Sequence, residues 1–253
     1  MKKNLFILLG ILAVLNFNIY AGGQAEADNT LTVASNCEWP PLEYVAEDGE
    51  LAGFEIELLA ALETVTDYNF EVVNVAWDGI FAGLSNGAYD LIASGVSVTE
   101  ERKPKMEFST PILEITQSII TPIDSTGMTN LSEIDGKTVG VQIGTTGHLV
   151  LLDNEDLDIE IKAYDNISLA IEDLINGNLD CVVTDSVVAS DYVVVNDNYS
   201  DKLKVAGIAS DEAEPIAMAF KKGDLETLKI VNDGIAKLEE NGELAALKAK
   251  WNL

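Results

Sequence analysis

The sequence is short of basic residues, histidine and cysteine. Its 253 residues include 43 Asp and Glu but only 15 Lys and Arg, a formal net charge of −28. This excess excludes nucleic acid as a partner, because no basic stripe offsets the repulsion from phosphates, and it disfavours anionic membrane surfaces. The chain has one histidine, His148, and one arginine, Arg102. A histidine-rich metal centre is therefore excluded, and we expect neither a metal nor a cofactor.

Long apolar runs are also lacking, except at the N-terminus. Lys2 and Lys3 precede an apolar run over residues 5–15, and small residues follow at positions 21–23. This pattern is typical of a secretory signal peptide, and the run is shorter than the roughly 20 residues that a membrane-spanning helix needs. We expect a signal peptide over residues 1–21, with residue 27 as the alternative end. No cysteine is near the cleavage region, so the expectation is a periplasmic protein without a lipid anchor.

Behind this segment, short β-type runs alternate with helical patterns, which indicates an α/β fold with mostly parallel sheets. One helix is predicted from apolar residues that recur with helical spacing between Phe54 and Val65, and another over residues 79–85 with Asp78 as its N-cap. The predicted strands are residues 31–34, 70–75, 91–93, 138–141, 160–164 and 181–184, and the other predicted helices are 146–152, 167–175, 186–195, 225–238 and 244–251.

A weak internal repeat supports two similar lobes. Residues 84–94 superpose without gaps on residues 174–184, with Leu, Asn, Gly and Asp at matching positions. Each copy predicts a helix that ends at Asn-Gly and a strand that ends in a hydroxyl, Ser94 or Thr184. A chance match of common turn residues is the alternative. If the repeat is real, Ser94, Thr184 and Asp185 face each other across one cleft at the carboxyl ends of strands.

Two tryptophans lie at junctions where such a cleft would form. Trp39 is held in a loop by Pro40 and Pro41, and Trp77 follows a predicted strand and directly precedes Asp78. Either residue alone would be assigned to the core, but the two together favour the wall of a pocket.

The loop 94–102 carries the only arginine. Gly95 allows close approach of the backbone to a ligand, Ser97 offers a hydroxyl, and Thr99 is predicted to cap a helix that carries Arg102. The guanidinium group matches a carboxylate with two parallel hydrogen bonds. A surface ion pair is the alternative for Arg102.

Residues 142–147 form a glycine-hydroxyl turn that leads into a helix, where free N–H groups favour an anion. Such a turn also occurs as a simple cap, and it lacks the lysine of a phosphate-binding loop, so a nucleotide is not supported. Asp185 is either the N-cap of the next helix or the carboxylate partner of a bound ammonium group, and spacing leaves both readings open. The groups together fit a small zwitterion: an anion clamp (Arg102, Ser97, Thr146), a cation acceptor (Asp185, Ser94) and aromatic walls (Trp39, Trp77).

From residue 31 to the C-terminus the sequence resembles the amino-acid-binding proteins of the bacterial extracellular solute-binding family 3, which deliver substrate to ATP-driven importers. The matching segments are residues 31–34, 39–44, 51–58, 77–80, 89–102, 108–111, 139–147 and 183–185. The resemblance implies the two-lobed type II periplasmic-binding-protein fold, in which each lobe is a mostly parallel sheet flanked by helices. Lobe one would be residues 28–115 plus 213–253 and lobe two residues 116–212, with hinges near 114–118 and 208–215. Cys37 and Cys181 would then lie apart as free thiols.

The resemblance also implies roles for the ligand-binding residues Asn36, Trp39, Trp77, Ser94, Gly95, Ser97, Arg102, Thr146 and Asp185. Arg102 would bind the α-carboxylate with Ser97 and Thr146, and Asp185 would hold the α-amino group with Ser94 or the Gly95 carbonyl. The two tryptophans would pack on the side chain. Asn36 stands where binders of cationic amino acids often carry an acid, which favours a neutral polar amino acid such as glutamine.

The expected function is therefore a monomeric, non-enzymatic periplasmic protein that captures a polar α-amino acid and delivers it to the permease of an ABC transporter. The alternative is a cyclohexadienyl (prephenate or arogenate) dehydratase-like enzyme on the same fold. That chemistry needs a general acid with a raised pKa, for which Asp185 or Glu38 would serve.

Overall fold

The computed structural model describes residues 29–253. The predicted signal peptide, with both of its alternative ends, lies outside the described residues. Within residues 29–253, no helix has the length and apolar character that crossing a membrane requires.

The first part of the described chain builds most of one sheet. Its elements are β1 (Thr30–Ser35), β2 (Glu38–Trp39), β3 (Glu43–Val45), β4 (Leu51–Ala52), α1 (Phe54–Val65), β5 (Asn69–Asn74), α2 (Ile80–Asn86), β6 (Leu91–Ile92) and β7 (Met106–Phe108). The first sheet has the strand order β5-β1-β6-β13-β7, where β13 is Ala219–Lys221 near the end of the chain. Strands β5, β1 and β6 are parallel, whereas β13 runs antiparallel to β6 and β7. A small antiparallel sheet, β2-β3-β4, lies beside α1.

The middle of the chain builds a second sheet of similar design. Its elements are β8 (Leu113–Pro122), a 3₁₀-helix (Leu131–Ile134), β9 (Thr138–Gln142), α3 (Thr146–Leu152), β10 (Glu160–Tyr164), α4 (Ile167–Ile175), β11 (Cys181–Asp185), α5 (Ser186–Ser190), a π-helix (Asp191–Val195) and β12 (Leu203–Ile216). The second sheet has the order β10-β9-β11-β8-β12. Its first three strands are parallel, and β8 runs antiparallel to both of its neighbours, β11 and β12. The α/β fold with two mostly parallel sheets is confirmed.

The helices cover the sheets with their apolar faces. Phe54, Leu58 and Leu62 of α1 are completely buried, as their helical spacing predicts. Helix α1 packs on α6 (Leu225–Glu240) and α7 (Glu243–Lys250), which close the chain. Gly234 of α6 allows this close packing, because a Cβ there would lie 2.7 Å from a methyl carbon of Leu62.

The internal repeat of the sequence corresponds to a repeat in the structure. Gly87 follows α2 with φ of 74°, and Gly177 follows α4 with φ of 77°. After each glycine the chain enters a strand, β6 or β11, that pairs in parallel with the second strand in the order of its sheet, β1 or β9. The two copies therefore occupy equivalent positions in the two sheets.

Two long strands connect the sheets. β8 and β12 pair antiparallel along most of their length, and Ile112 N–H donates to the Ile216 carbonyl at the end next to the first sheet. The register shifts between Ile208 and Ser210 and again between Ser210 and Glu214. The predicted hinge segments 114–118 and 208–215 lie in these strands, and the lobe boundaries stay a prediction.

Three local predictions are wrong. Asp78 does not cap α2, because Gly79 occupies the N-cap with φ of 89° and no side chain caps this helix. Residues 100–105 form turns instead of a helix, since Pro104 lacks an N–H donor and restricts Lys103 before it, although the Thr99 hydroxyl accepts from the Arg102 N–H at 3.2 Å as a capping residue does. The helix predicted over 186–195 is α-helical only to Ser190 and then widens into the π-helix, where three β-branched valines follow one another.

Candidate functional site

The carboxyl ends of the parallel strands of both sheets face one another across a cavity. Its walls are Asn36, Trp39, Trp77, Ser94, Gly95, Ser97, Arg102, Gln142, Thr145, Thr146 and Asp185. All nine residues of the predicted set are among these, and Gln142 and Thr145 were not in that set. The side chains leave room for about one water molecule between them.

One residue of the expected cleft does not reach the cavity. Thr184 is buried on β11 but does not line the cavity. Neighbouring side chains in a strand point to opposite faces. Because the Asp185 side chain points into the cavity, the Thr184 side chain points away from it.

Arg102 lies in the cavity between loops of the two sheets. Only 8% of its surface is exposed. One terminal nitrogen donates to the Ser97 carbonyl at 3.0 Å and the other to the Gly144 carbonyl at 3.2 Å. Burial lowers the pKa of Arg102, and the charge of Asp185 opposes this effect. Since an arginine stays charged in proteins, the cavity holds a buried cation.

Two aromatic rings support this cation. The guanidinium carbon lies 4.8 Å from the ring centre of Phe81 and 5.8 Å from that of Trp77. The two rings pack edge to face, with centroids 5.2 Å apart. Phe81, on α2, was missed as a site residue because its position fits an ordinary apolar helix face.

Asp185 supplies the opposite charge. Gln117 Nε2 donates to Asp185 Oδ1 at 2.8 Å, and Trp39 Nε1 donates to Oδ2 at 3.2 Å. Asp185 occupies the N-cap position of α5, as one of the two alternatives expects, but its carboxylate makes no capping bond to that helix. Burial raises the pKa of Asp185 to about 7, assisted by the charge of Glu214, while the hydrogen bonds from Gln117 and Trp39 and the charge of Arg102 pull it down.

Gln117 on β8 contacts three side chains of the site, and the sequence analysis missed it. Its Nε2 is also 3.1 Å from Thr146 Oγ1 and 3.0 Å from Glu214 Oε1. An amide nitrogen has two hydrogens, so three acceptors compete for them. Gly147 makes room for this side chain, because a Cβ there would lie 2.8 Å from Gln117 Oε1. The signal in the sequence was a glutamine between Thr116 and Ser118 in a run rich in isoleucine.

Ser94 and Gly95 each donate a hydrogen bond to a buried glutamate. The Ser94 hydroxyl accepts from Asn36 N–H and donates to Glu43 Oε1, both at 2.9 Å. Gly95 has φ of 55°, and its N–H donates to Glu55 Oε2 at 2.5 Å. The hydroxyl hydrogen of Ser94 therefore points into the core, and only oxygen acceptors of this loop can face the cavity.

Within the described part of the chain, four side-chain contacts cross the cavity and join the loops of the first sheet to those of the second. They are Trp39–Asp185, Ser97–Thr146 at 3.4 Å, Arg102–Gly144 and Asn36–Gln142 at 3.3 Å. Because these groups bond to each other, the cavity is in a closed form.

Asn36 and Gln142 form the neutral end of the cavity. Gln142 Nε2 donates to Asn36 Oδ1 and to the Asp165 carbonyl, and Gln142 Oε1 is buried without a partner among the described residues. The position of Gln142 at the end of a predicted strand was the signal that could have identified it.

Neither cysteine lines the cavity. Cys37 and Cys181 are both buried, free thiols, and burial raises the pKa of each. Within residues 29–253 the structure holds no cluster of three or more His, Cys, Asp or Glu side chains arranged to bind a metal ion.

Residues 31–253 match the model of the bacterial extracellular solute-binding proteins, family 3. The chain belongs to this family. It is 33% identical over 234 residues to a probable histidine-binding protein of Neisseria gonorrhoeae, which covers 91% of this chain and 86% of that protein. Its fold is thus the fold of a solute-binding protein, and the cavity lies between the two sheets of that fold.

Two solved structures of the family's fold are close in shape. An ancestral arginine-binding protein bound to arginine superposes with a TM-score of 0.83 at 32% identity, over 88% of this chain and 98% of that one. An ancestral amino acid-binding protein described as a precursor of cyclohexadienyl dehydratase superposes with a TM-score of 0.80 at 29% identity, over 88% and 95% of the two chains.

Proposed function

We propose that this protein binds a polar α-amino acid in the cavity and delivers it to the membrane permease of an ABC importer. The observation that carries the proposal is the pair of opposite charges, Arg102 and Asp185, buried in one cavity on loops of different sheets. A buried charge needs a partner, and an α-amino acid offers one partner to each of them.

The roles follow from the donors and acceptors. Arg102 binds the α-carboxylate with its planar fork, and the hydroxyl groups of Ser97 and Thr146 complete the anion site. Asp185 accepts from the α-ammonium group, together with oxygen acceptors of Ser94 and Gly95. Trp39 and Trp77 cover the ligand's side chain.

Binding then requires the lobes to separate and close again. The cavity has room for about one water molecule, so an amino acid has to replace the contacts that now cross it. Lobe one, residues 28–115 plus 213–253, would rotate against lobe two, residues 116–212, about the segments 114–118 and 208–215. The ligand stabilises the closed form because its contacts come from both lobes.

The neutral end of the cavity favours a neutral side chain. Asn36 and Gln142 are amides, and Gln142 Oε1, which has no partner within residues 29–253, can accept from an amide or hydroxyl group of a ligand. A cationic side chain would find no carboxylate in this amide pair. Glutamine is the ligand that these groups fit best.

Isothermal titration calorimetry with a panel of amino acids tests the proposal. We expect a neutral polar amino acid to bind with a Kd of about 1 μM, or about −8 kcal/mol. Arg102→Ala should abolish measurable binding. The proposal fails if no amino acid gives heat, or if the variant binds as well as the wild type.

The place of action and the oligomeric state belong to the same proposal. A signal peptide at residues 1–21 would direct the chain to the periplasm, where the permease is accessible from outside. N-terminal sequencing of the exported protein would locate the cleavage, and light scattering should give the mass of a monomer.

A second function rests on the protonation of Asp185. A pKa of about 7 lets this buried carboxyl group donate a proton near neutral pH, as a dehydratase of prephenate or arogenate would require. Turnover of either compound by the purified protein, abolished in Asp185→Asn, would favour the enzyme over the binding protein.

A further inference from the structure

Two buried glutamates lie directly behind the Ser94–Gly95 loop. Glu43 is on β3 and Glu55 is the second residue of α1, and both are completely buried. A buried carboxylate is costly unless it is paired or protonated. These two side chains therefore need an explanation that general packing does not give.

Each glutamate holds one residue of the loop. Glu43 Oε1 accepts from the Ser94 hydroxyl at 2.9 Å, and Glu55 Oε2 accepts from the Gly95 N–H at 2.5 Å. The other oxygens, Glu43 Oε2 and Glu55 Oε1, have no donor among the described residues. The two carboxyl groups nevertheless lie within hydrogen-bonding reach of each other.

One proton between the two carboxyl groups would supply the missing hydrogen-bond donor. Two ionised carboxylates at this distance would repel each other, whereas one O–H donor between them satisfies both remaining oxygens. Among residues 29–253, the charged or titratable groups that act on Glu43 are Glu55 and Cys37, and neither is a cation. Burial raises the pKa of both carboxyl groups, and that of Glu43 lies well above its usual range because Glu55 adds to the effect. Glu55 keeps the negative charge, since it accepts from the Gly95 N–H.

We propose that Glu43 and Glu55 share one proton at neutral pH and, as a pair, position Ser94 and Gly95 for the ligand's ammonium group. The positioning role rests on the proposed function of the cavity. Glu43 acts as the donor to Glu55 and orients the Ser94 hydroxyl away from the cavity, so that the loop presents oxygen acceptors to a cationic group. Neither glutamate touches the ligand.

Amide substitution distinguishes a shared proton from simple packing. Glutamine at position 43 keeps an acceptor for Ser94 and an N–H donor for Glu55, so Glu43→Gln reproduces the protonated pair. Glu55→Gln does the same with the donor reversed. The double variant places two NH₂ groups against each other and leaves no acceptor between them. We expect each single variant to bind within about threefold of the wild type, and the double variant to lose at least about tenfold in affinity.

Infrared spectroscopy tests the proton without any ligand. A protonated carboxyl group gives a carbonyl stretching band separate from that of a carboxylate. We expect this band in the wild-type protein at pH 7 and a loss of its intensity in Glu43→Gln. Glu50→Gln is the matched control, because it is the same substitution at an exposed position outside the pair. Glu55→Gln, which leaves Glu43 ionised, should lose the same band if Glu43→Gln proves too unstable to purify.

The outcomes are separable. If the band keeps its full wild-type intensity in both single variants, the pair does not share a proton and the inference is overturned. Asp185, whose pKa is about 7, contributes a constant background to this band. If the band is lost but the double variant binds as tightly as the single variants, the pair does not position the loop. If no amino acid binds the wild type, the proposed function fails, and the infrared result still decides whether the proton is shared.

Discussion

The indole Nε1 of Trp39 donates a hydrogen bond to Asp185 Oδ2 at 3.2 Å, across the gap between the two sheets. Trp39 belongs to the short strand after β1, and Asp185 ends β11. The bond serves two purposes at once, because it ties the two walls of the cavity together and stabilises the ionised form of Asp185. A ligand ammonium group would compete for the same carboxylate.

Trp39→Phe should weaken binding of the amino acid by about tenfold, which corresponds to about 1.4 kcal/mol. Phenylalanine keeps an aromatic wall but removes the donor, so Asp185 becomes harder to ionise. Calorimetry at pH 7 measures the change. Trp251→Phe is the matched control, because Trp251 also donates an indole hydrogen bond of 3.2 Å, to Glu57, outside the cavity. Equal losses in both variants would contradict a specific role for the Trp39 bond.

Phe81→Leu should weaken binding by about fivefold, because it removes the ring 4.8 Å from the Arg102 guanidinium and leaves the buried cation less well oriented. The titration is compared with that of Phe108→Leu, which alters a partly buried ring of the same apolar cluster. Among the described residues, the Arg102 guanidinium stacks on the rings of Trp77 and Phe81 and not on that of Phe108, so we expect this control to bind as the wild type does. A loss confined to thermal stability in Phe81→Leu would argue against the ring's role in binding.

The positions of Trp39, Arg102 and Asp185 were predictable because each lies just after a strand or glycine-rich loop, and the carboxyl ends of parallel strands converge. Gln117 was not predictable in this way. It lies inside β8, and its direction into the cavity depends on the antiparallel pairing of β8 with β11 and β12. These pairings are long-range, and β12 contains register shifts that no local pattern reveals. The helix predicted around Arg102 was wrong for a local reason, Pro104, that was visible in the sequence.

The affinity for the amino acid should depend on pH through Asp185. Burial raises the pKa of this carboxyl group to about 7 in the folded protein, and the ammonium group binds its ionised form. Below pH 7 the protein must first release a proton, so affinity should fall by up to about tenfold per pH unit as the pH decreases. Above pH 7 it should be flat until the ligand's own ammonium group titrates.

Calorimetry in buffers with different ionisation enthalpies checks this directly, because the observed heat then reports protons released on binding. We expect close to one proton released per ligand at pH 6 and few at pH 8. Asp185→Asn removes the titrating group, so its weak residual binding should not vary between these pH values. A wild-type affinity that does not change from pH 5 to pH 8 would contradict the assignment.

Replacement of Glu214 should move this pH dependence. Glu214 shares the Gln117 amide with Asp185, and its charge raises the pKa of Asp185. In Glu214→Gln the charge is gone, so the pKa of Asp185 should fall and the pH midpoint of binding should shift below 7, with tighter binding at pH 6. Glu212→Gln is the control, since Glu212 is exposed on the same strand and carries the same charge. If both variants shift the midpoint equally, the effect comes from the overall negative charge of the protein and not from the shared amide.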